Sequence, residues 1–184
     1  MSQERYDQLL HSHQGLVNGT LRDVILPAIL GKETDDMLYW IGKDLARQYP
    51  VATHDDLVIL THQLGLGDLT LQRHDKVSQV WRLAGPIVNE RIQRDKEQTS
   101  FGLECGFLAQ QTEFQLGTVA EARINDRHRD SVDIMVQNDP KTDADNERSE
   151  LVTFIHVDAP GQTETEAEPK KRRPHLKKKK NAKK

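Results

Sequence analysis

The chain has 184 residues, enough for one domain with a sizeable core, and its single cysteine excludes both an intramolecular disulfide and a cysteine-based zinc site. Its net charge of −3 conceals an asymmetry: residues 169–184 carry ten of the 26 Lys/Arg and no Asp/Glu, which leaves 16 Lys/Arg against 29 Asp/Glu, a net charge of −13, in residues 1–168. No apolar run resembles a signal peptide or reaches the roughly 18 residues of a membrane span, so the sequence predicts a soluble cytoplasmic protein.

Three helices are predicted in the first third of the chain. TLRDVILPAIL places apolar side chains at helical spacing, with Gly31 as its end, and a proline at position 27 predicts either a kink or the true first turn. Thr34 and Thr53 are predicted to cap the next two helices, each with two acidic residues in its first turn, and Pro50 and Gly65 end them. All three helices carry an apolar stripe, and one small sheet does not obviously cover three stripes.

The hydrophobic period then changes to two. DLTLQRHDKVSQVWRLAG predicts a β-hairpin, and TVAEARI and SVDIMVQ, joined by NDRHRD, predict a second one. A short helix beginning at Pro86 and a longer one over 101–116 separate the two hairpins. The predicted fold class is therefore α+β, with N-terminal helices packed on an antiparallel sheet made of two β-hairpins separated by helices.

Composition divides the chain into four segments. Residues 1–18 are a polar N-terminal segment, 19–138 hold the α+β domain, 139–168 form an acidic linker, and 169–184 form a basic, disordered C-terminal tail. LVTFIHVDA, inside the linker, is a lone apolar island with strand character.

The helix FGLECGFLAQQTEF contains the only cysteine. Its apolar residues fall on two opposite faces, which is typical of a buried helix, with Gly106 small enough for close backbone approach. Cys105 lies on an apolar stripe, so core packing is favoured over nucleophilic chemistry. Glu104 points away from both stripes; it is either exposed or, if buried, paired with Arg47 or Lys43.

Four segments, VILPAILG, YWIGKDLARQYP, GPIVNERI and FGLECGFLAQQ, occur in an order and spacing that resemble the bacterial YslB family, a group without an assigned function. The resemblance covers about residues 19–138. That family is similar in layout to a superfamily of 4-vinyl reductase-type ligand domains, TRAPP core subunits and haem-NO-binding domains. The resemblance implies the same α+β fold, a small apolar ligand in the core and a homodimer. Haem is not implied, because the Tyr-x-Ser-x-Arg motif is absent, and Cys105 does not align with an acylated cysteine.

The residues that could carry specific chemistry are each explained by ordinary structural roles. His11-x-His13 lies in a polar segment and is predicted to be solvated, and His54 and His62 lack a third metal ligand. The Asp pairs in the first helical turns are explained by the helix dipole. Trp40 and Trp81 are predicted to pack in the core rather than line a pocket. No phosphate-binding glycine motif or nucleophile elbow is present. The sequence thus predicts no catalytic residue, no metal and no cofactor.

Two function classes remain open. The first is a non-enzymatic binding or adaptor module, with a small apolar ligand in its core. The second is an enzyme whose active site is dispersed along the sequence. The tail at 169–184 is predicted to contact nucleic acid or an anionic surface weakly, and the alternative is a solvated tail that folds back on the acidic body.

Overall fold

The structure, a computed structural model, describes residues 3–95, 99–144 and 152–158. Its elements run in chain order as α1 (Gln3–Leu10), α2 (Gly15–Thr20), a π-helical turn (Leu21–Ile25), α3 (Leu26–Leu30), a 3₁₀ turn (Gly31–Glu33), α4 (Thr34–Gln48), α5 (His54–Gln63), β1 (Asp68–His74), β2 (Ser78–Ala84), α6 (Pro86–Arg94), α7 (Gly102–Leu116), β3 (Thr118–Arg127) and β4 (Val132–Asp143). The predicted α+β class is confirmed. The predicted basic tail lies outside the described residues.

The four strands form one antiparallel sheet in the order β1-β2-β4-β3. Each predicted hairpin is present, and pairing of β2 with β4 joins the two hairpins into one sheet. Trp81 lies opposite Ile134 in this central pair, and both side chains are buried. Alternation within each strand therefore supplies one apolar face, on which the helices pack.

Helix α7 lies at the centre of the molecule, between α4 and strands β3 and β4. Every residue from Leu103 to Phe114 is buried, which confirms the prediction of a helix buried on both sides. Gly106 permits the close approach of α4, since a Cβ atom there would lie 1.8 Å from the main-chain oxygen of Tyr39. Gly42 of α4 serves the same contact, since a Cβ atom there would lie 2.0 Å from the main-chain oxygen of Leu103. The two helices consequently touch backbone to backbone.

The helix ends follow local chemistry with one exception. Thr53 caps α5 by accepting a 3.1 Å hydrogen bond from the Asp56 amide, and Gly117 ends α7 in the left-handed conformation at φ 69°. The prediction that Thr34 caps α4 is wrong: it is the first helical residue, and its hydroxyl donates to the Gly31 oxygen at 2.5 Å. The preceding 3₁₀ turn explains the shift, because it brings the chain into helical geometry one residue early.

Pro27 is the second residue of α3 and so lies in its first turn, which is one of the two predicted positions, although the chain is already helical before it. Residues 15–30 form one continuous helix with a π-helical turn over Leu21–Ile25, directly before the proline. A proline inside a helix removes one hydrogen bond and its ring collides with the carbonyl four residues earlier, at Asp23. The wider π turn gives that carbonyl room, so the helix continues to Gly31.

The end of the sheet differs from its sequence pattern. Strand β4 continues to Asp143, into the polar segment that follows residue 138. The strand character predicted for LVTFIHVDA is wrong within the described part, residues 152–158, which are not part of the sheet. Gln63 of α5 donates to the Asp158 oxygen at 2.9 Å. The Ile155 amide donates to the Pro50 oxygen at 2.9 Å, and Val157 is buried in the core. The apolar island thus covers the helices instead of the sheet.

Candidate functional site

A polar cleft of about 420 Å³ opens beside the N-terminus of α4. Its lining comes from the π turn, the 3₁₀ turn, α6 and the segment just before α7, which are distant in sequence and meet only in the fold. Four cationic side chains line it: Arg22, Lys32, Arg91 and Arg94. Of these, Arg91 is buried and Lys32 is exposed at the rim.

The three arginines in the wall of the cleft share two carboxylates. Glu104, only 2% exposed, accepts hydrogen bonds from Arg22 and from Arg91, the latter at 3.0 Å. Asp23 accepts from Arg94 and lies 3.7 Å from the Arg91 Nε atom. The cluster of these five side chains therefore carries a net charge of +1 in a largely buried place, where charge is costly unless compensated.

The position of Glu104 corrects the sequence analysis. It is buried, and its partners are Arg22 and Arg91, whereas the predicted partners Arg47 and Lys43 are not used. Lys43 instead pairs with Glu113 at 3.0 Å. Arg22 is 82 residues from Glu104 in the chain, so spacing along one helix pair could not have identified it.

Arg91 is the most constrained member of the cluster. Its Nη2 donates to the Ser100 oxygen at 2.6 Å, and its guanidinium lies 4.8 Å from the centre of the Phe101 ring. Burial, together with the neighbouring Arg22 charge, lowers the pKa of Arg91 to about 10. Its Nε–H makes no hydrogen bond. Arg91 therefore remains charged at neutral pH with part of its hydrogen-bonding capacity unused.

An apolar stripe lies on the helix of residues 15–30. Val17, Leu21, Ile25 and Ile29 follow one another every four residues, and they are 79%, 51%, 43% and 73% exposed. Such a run is typical of a core-facing helix, yet here it faces outward. The inward side of the same π turn carries Arg22 and Asp23, which occupy the cleft cluster.

The histidines that the structure describes do not assemble into a metal centre. His13 pairs with Glu90 on α6, and His62 pairs with Asp68 at 2.7 Å. His54 packs edge-on against the rings of His74 and Trp81, and burial followed by the His74 charge lowers its pKa. Across residues 3–95, 99–144 and 152–158, no group of three or more His, Cys, Asp or Glu side chains is placed to hold a metal ion.

The remaining singled-out residues divide between core and surface. Cys105 is buried, and burial followed by the nearby Glu104 charge raises its pKa to about 12. Trp81 is a core residue as predicted. The prediction for Trp40 is wrong, because its ring is 58% exposed on the outer side of α4. The backbone contact between α4 and α7 fills the inner side with small residues, which leaves the tryptophan outside.

These features define an α+β protein whose helices cover one antiparallel sheet and enclose a charged cleft. The chain belongs to the protein family of unknown function DUF2507, whose model matches residues 16–137. It is 34% identical over 102 residues to the uncharacterized protein YslB of Bacillus subtilis (strain 168), which covers 55% of this chain and 68% of the relative. The resemblance to the YslB family is thus confirmed. Among the helices of the described residues, none combines the length and apolarity that a membrane crossing needs.

Proposed function

We propose that this protein is a non-enzymatic interaction module that pairs with a second copy of itself through the apolar stripe. The exposed stripe of Val17, Leu21, Ile25 and Ile29 carries the proposal. The inert environment of Cys105, the only thiol, supports a binding role over covalent catalysis.

The π turn is what makes the stripe continuous. In an α-helix, a step of four residues advances about 40° beyond a full turn, so a four-residue repeat drifts around the helix. A π turn holds more residues per turn, so the step from Leu21 to Ile25 falls behind and cancels part of the drift. The four side chains therefore stay on one side of a helix about 24 Å long.

The size and charge of the stripe favour a symmetric helix pair. The four side chains expose on the order of 400 Å² of apolar surface, large for a monomer and about half of what a standard interface buries per partner. The stripe carries no charge, while residues 1–168 carry −13. Two antiparallel copies of one helix would cover the stripes mutually, which is the isologous contact of a twofold dimer.

Sedimentation across a concentration series tests this proposal. We expect a dimer at micromolar concentration, tightened by salt because screening reduces the repulsion between acidic bodies. Ile29→Lys should shift the protein to a monomer. Val77→Lys is the matched control, since Val77 is also an exposed apolar residue but lies in the first hairpin. A single monomeric species at high micromolar concentration, or equal effects of the two substitutions, would overturn the proposal.

Two finer parts of the sequence interpretation remain predictions. The polar cleft is lined by charged side chains, which favours a polar ligand over the small apolar one that the resemblance implied. The tail at 169–184 is still proposed to bind polyanions weakly, from its ten cations within 16 residues. Comparing RNA and anionic-vesicle binding by the full chain and by a chain ending at Glu168 tests that role. Equal affinity would dismiss the tail as a binding element.

A further inference from the structure

From the charges at the polar cleft, we infer that it binds a small polar metabolite that combines an oxyanion, phosphate or carboxylate, with hydroxyl or amino donors. The inference is independent of self-association, because the cleft uses Arg22 and Asp23 of the π turn and the apolar stripe uses Leu21 and Ile25. It rests on the arrangement of charges across the cleft, from its inner wall to its rim.

The inner wall attracts an oxyanion. Arg22, Arg91, Arg94 and Asp23 line it, Glu104 lies behind them, and these five side chains together carry a net charge of +1. Arginine presents five donors in a fixed fork, and each of the three recorded pairs occupies only part of that fork. Arg22 and Arg94, with 14% and 15% of their side chains exposed, are the members of the wall that a ligand in the cleft can reach.

The backbone adds to this attraction. Thr34 and Asp35, the first residues of the 15-residue helix α4, line the cleft, and the residue before them makes no side-chain capping bond. The positive end of the helix dipole favours negative charge, part of which Asp35 and Asp36 in the first turn already supply. Thr99 and Ser100 also line the cleft. The Thr99 hydroxyl donates to the Arg91 main-chain oxygen at 2.8 Å, and the Ser100 hydroxyl accepts from the Gly102 amide at 3.2 Å. Helix terminus and arginine wall thus favour the same kind of group.

The rim requires a different chemistry. Asp35 and Asp95 are exposed there and present carboxylate oxygens, and Lys32 adds one cation. A bare polyanion would meet repulsion at these carboxylates. A ligand whose oxyanion lies against the arginines and whose hydroxyl or amino groups face the rim satisfies both sides. A cleft of about 420 Å³ admits a small metabolite of this kind.

Calorimetric titration of the full chain at fixed ionic strength tests the inference with four probes: inorganic phosphate, glucose 6-phosphate, citrate and glucose. We expect glucose 6-phosphate to bind at least tenfold tighter than inorganic phosphate, and glucose not to bind. Citrate distinguishes a carboxylate from a phosphate source. Failure of phosphate, glucose 6-phosphate and citrate alike at millimolar concentration would overturn the inference.

Two substitutions on the rim locate the binding without disturbing the buried cluster. Lys32→Gln should weaken inorganic phosphate and glucose 6-phosphate at least fivefold, whereas Asp35→Asn should weaken only glucose 6-phosphate. Lys76→Gln, at an exposed lysine of the first hairpin turn, controls for net charge and for the basic tail. Equal effects of Lys32→Gln and Lys76→Gln would contradict the site. So would amide shifts on binding that fall in residues 169–184 instead of at Thr34 and Ser100.

Discussion

Gly106→Ala should destabilise the protein, although alanine is the better helix former. The new Cβ atom would lie 1.8 Å from the Tyr39 oxygen and 2.7 Å from its carbonyl carbon, and both are main-chain atoms that no rotamer change can move. Reaching an ordinary contact requires α4 and α7 to separate by more than about 1 Å along a tightly packed pair. The helix-propensity gain is about 1 kcal/mol, and overpacking against a rigid neighbour costs about 3 kcal/mol or more. We therefore expect a net loss of about 2–3 kcal/mol.

Urea unfolding followed by circular dichroism measures this loss, and the melting temperature should fall by roughly 4–12 °C. Gly19→Ala is the matched control: it is also a helical glycine, but its Cβ would meet Leu9 Cδ2 at 2.7 Å, the far end of a flexible side chain. It should change stability by less than about 1 kcal/mol. A Gly106→Ala protein as stable as the parent, or a Gly19→Ala protein equally weakened, would show that the backbone contact between α4 and α7 does not limit packing.

Three further outcomes follow from burial. The Cys105 thiol, whose pKa is raised to about 12, should react with a maleimide at least a hundredfold more slowly in native buffer than in denaturant, and comparable rates would contradict its core position. Burial lowers the folded-state pKa of His54, so the unfolded state binds more protons below about pH 6.5, and stability should fall as the pH drops from 6.5 toward the folded pKa. His54→Gln should reduce this loss of stability, measured by urea titrations at pH 7.5 and 5. An unchanged pH dependence in His54→Gln would contradict the role of His54. A chain ending at Asp158 should unfold like the full protein. A chain ending at Asp139 should still melt cooperatively, but its free energy of unfolding should fall by about 2–4 kcal/mol, because the buried Val157 and the end of β4 are removed. Identical melting of the two chains would refute this prediction.

Much of the fold could be predicted from patterns within short segments of the sequence. The two hairpins follow from alternating apolar residues, and α7 follows from its two apolar faces, because strand and helix periods are properties of short segments. Thr53 and Gly117 mark helix ends for the same reason. The prediction that Thr34 caps α4 was wrong because the preceding 3₁₀ turn has no comparable sequence pattern.

The candidate cleft was not predictable in the same way. Glu104 is bound by Arg22, 82 residues away, and by Arg91 from a different helix, so only tertiary packing brings the cluster together. A weak signal existed: Arg22 and Asp23 interrupt an apolar run, and charged residues inside such a run often face a buried partner. The exposure of Ile29 could not be predicted either, because an apolar stripe has the same sequence pattern whether it faces the core or solvent.

The central position of α7 also sets how the protein opens. Each amide of this helix from Leu103 to Phe114 is enclosed by α4 on one side and by the sheet on the other. No partial opening that leaves both neighbours in place can admit water to these amides. We therefore expect their deuterium uptake to require global unfolding and to be the slowest in the described part of the chain. The short N-terminal helix α1, by contrast, packs on α2, and its amides should exchange faster.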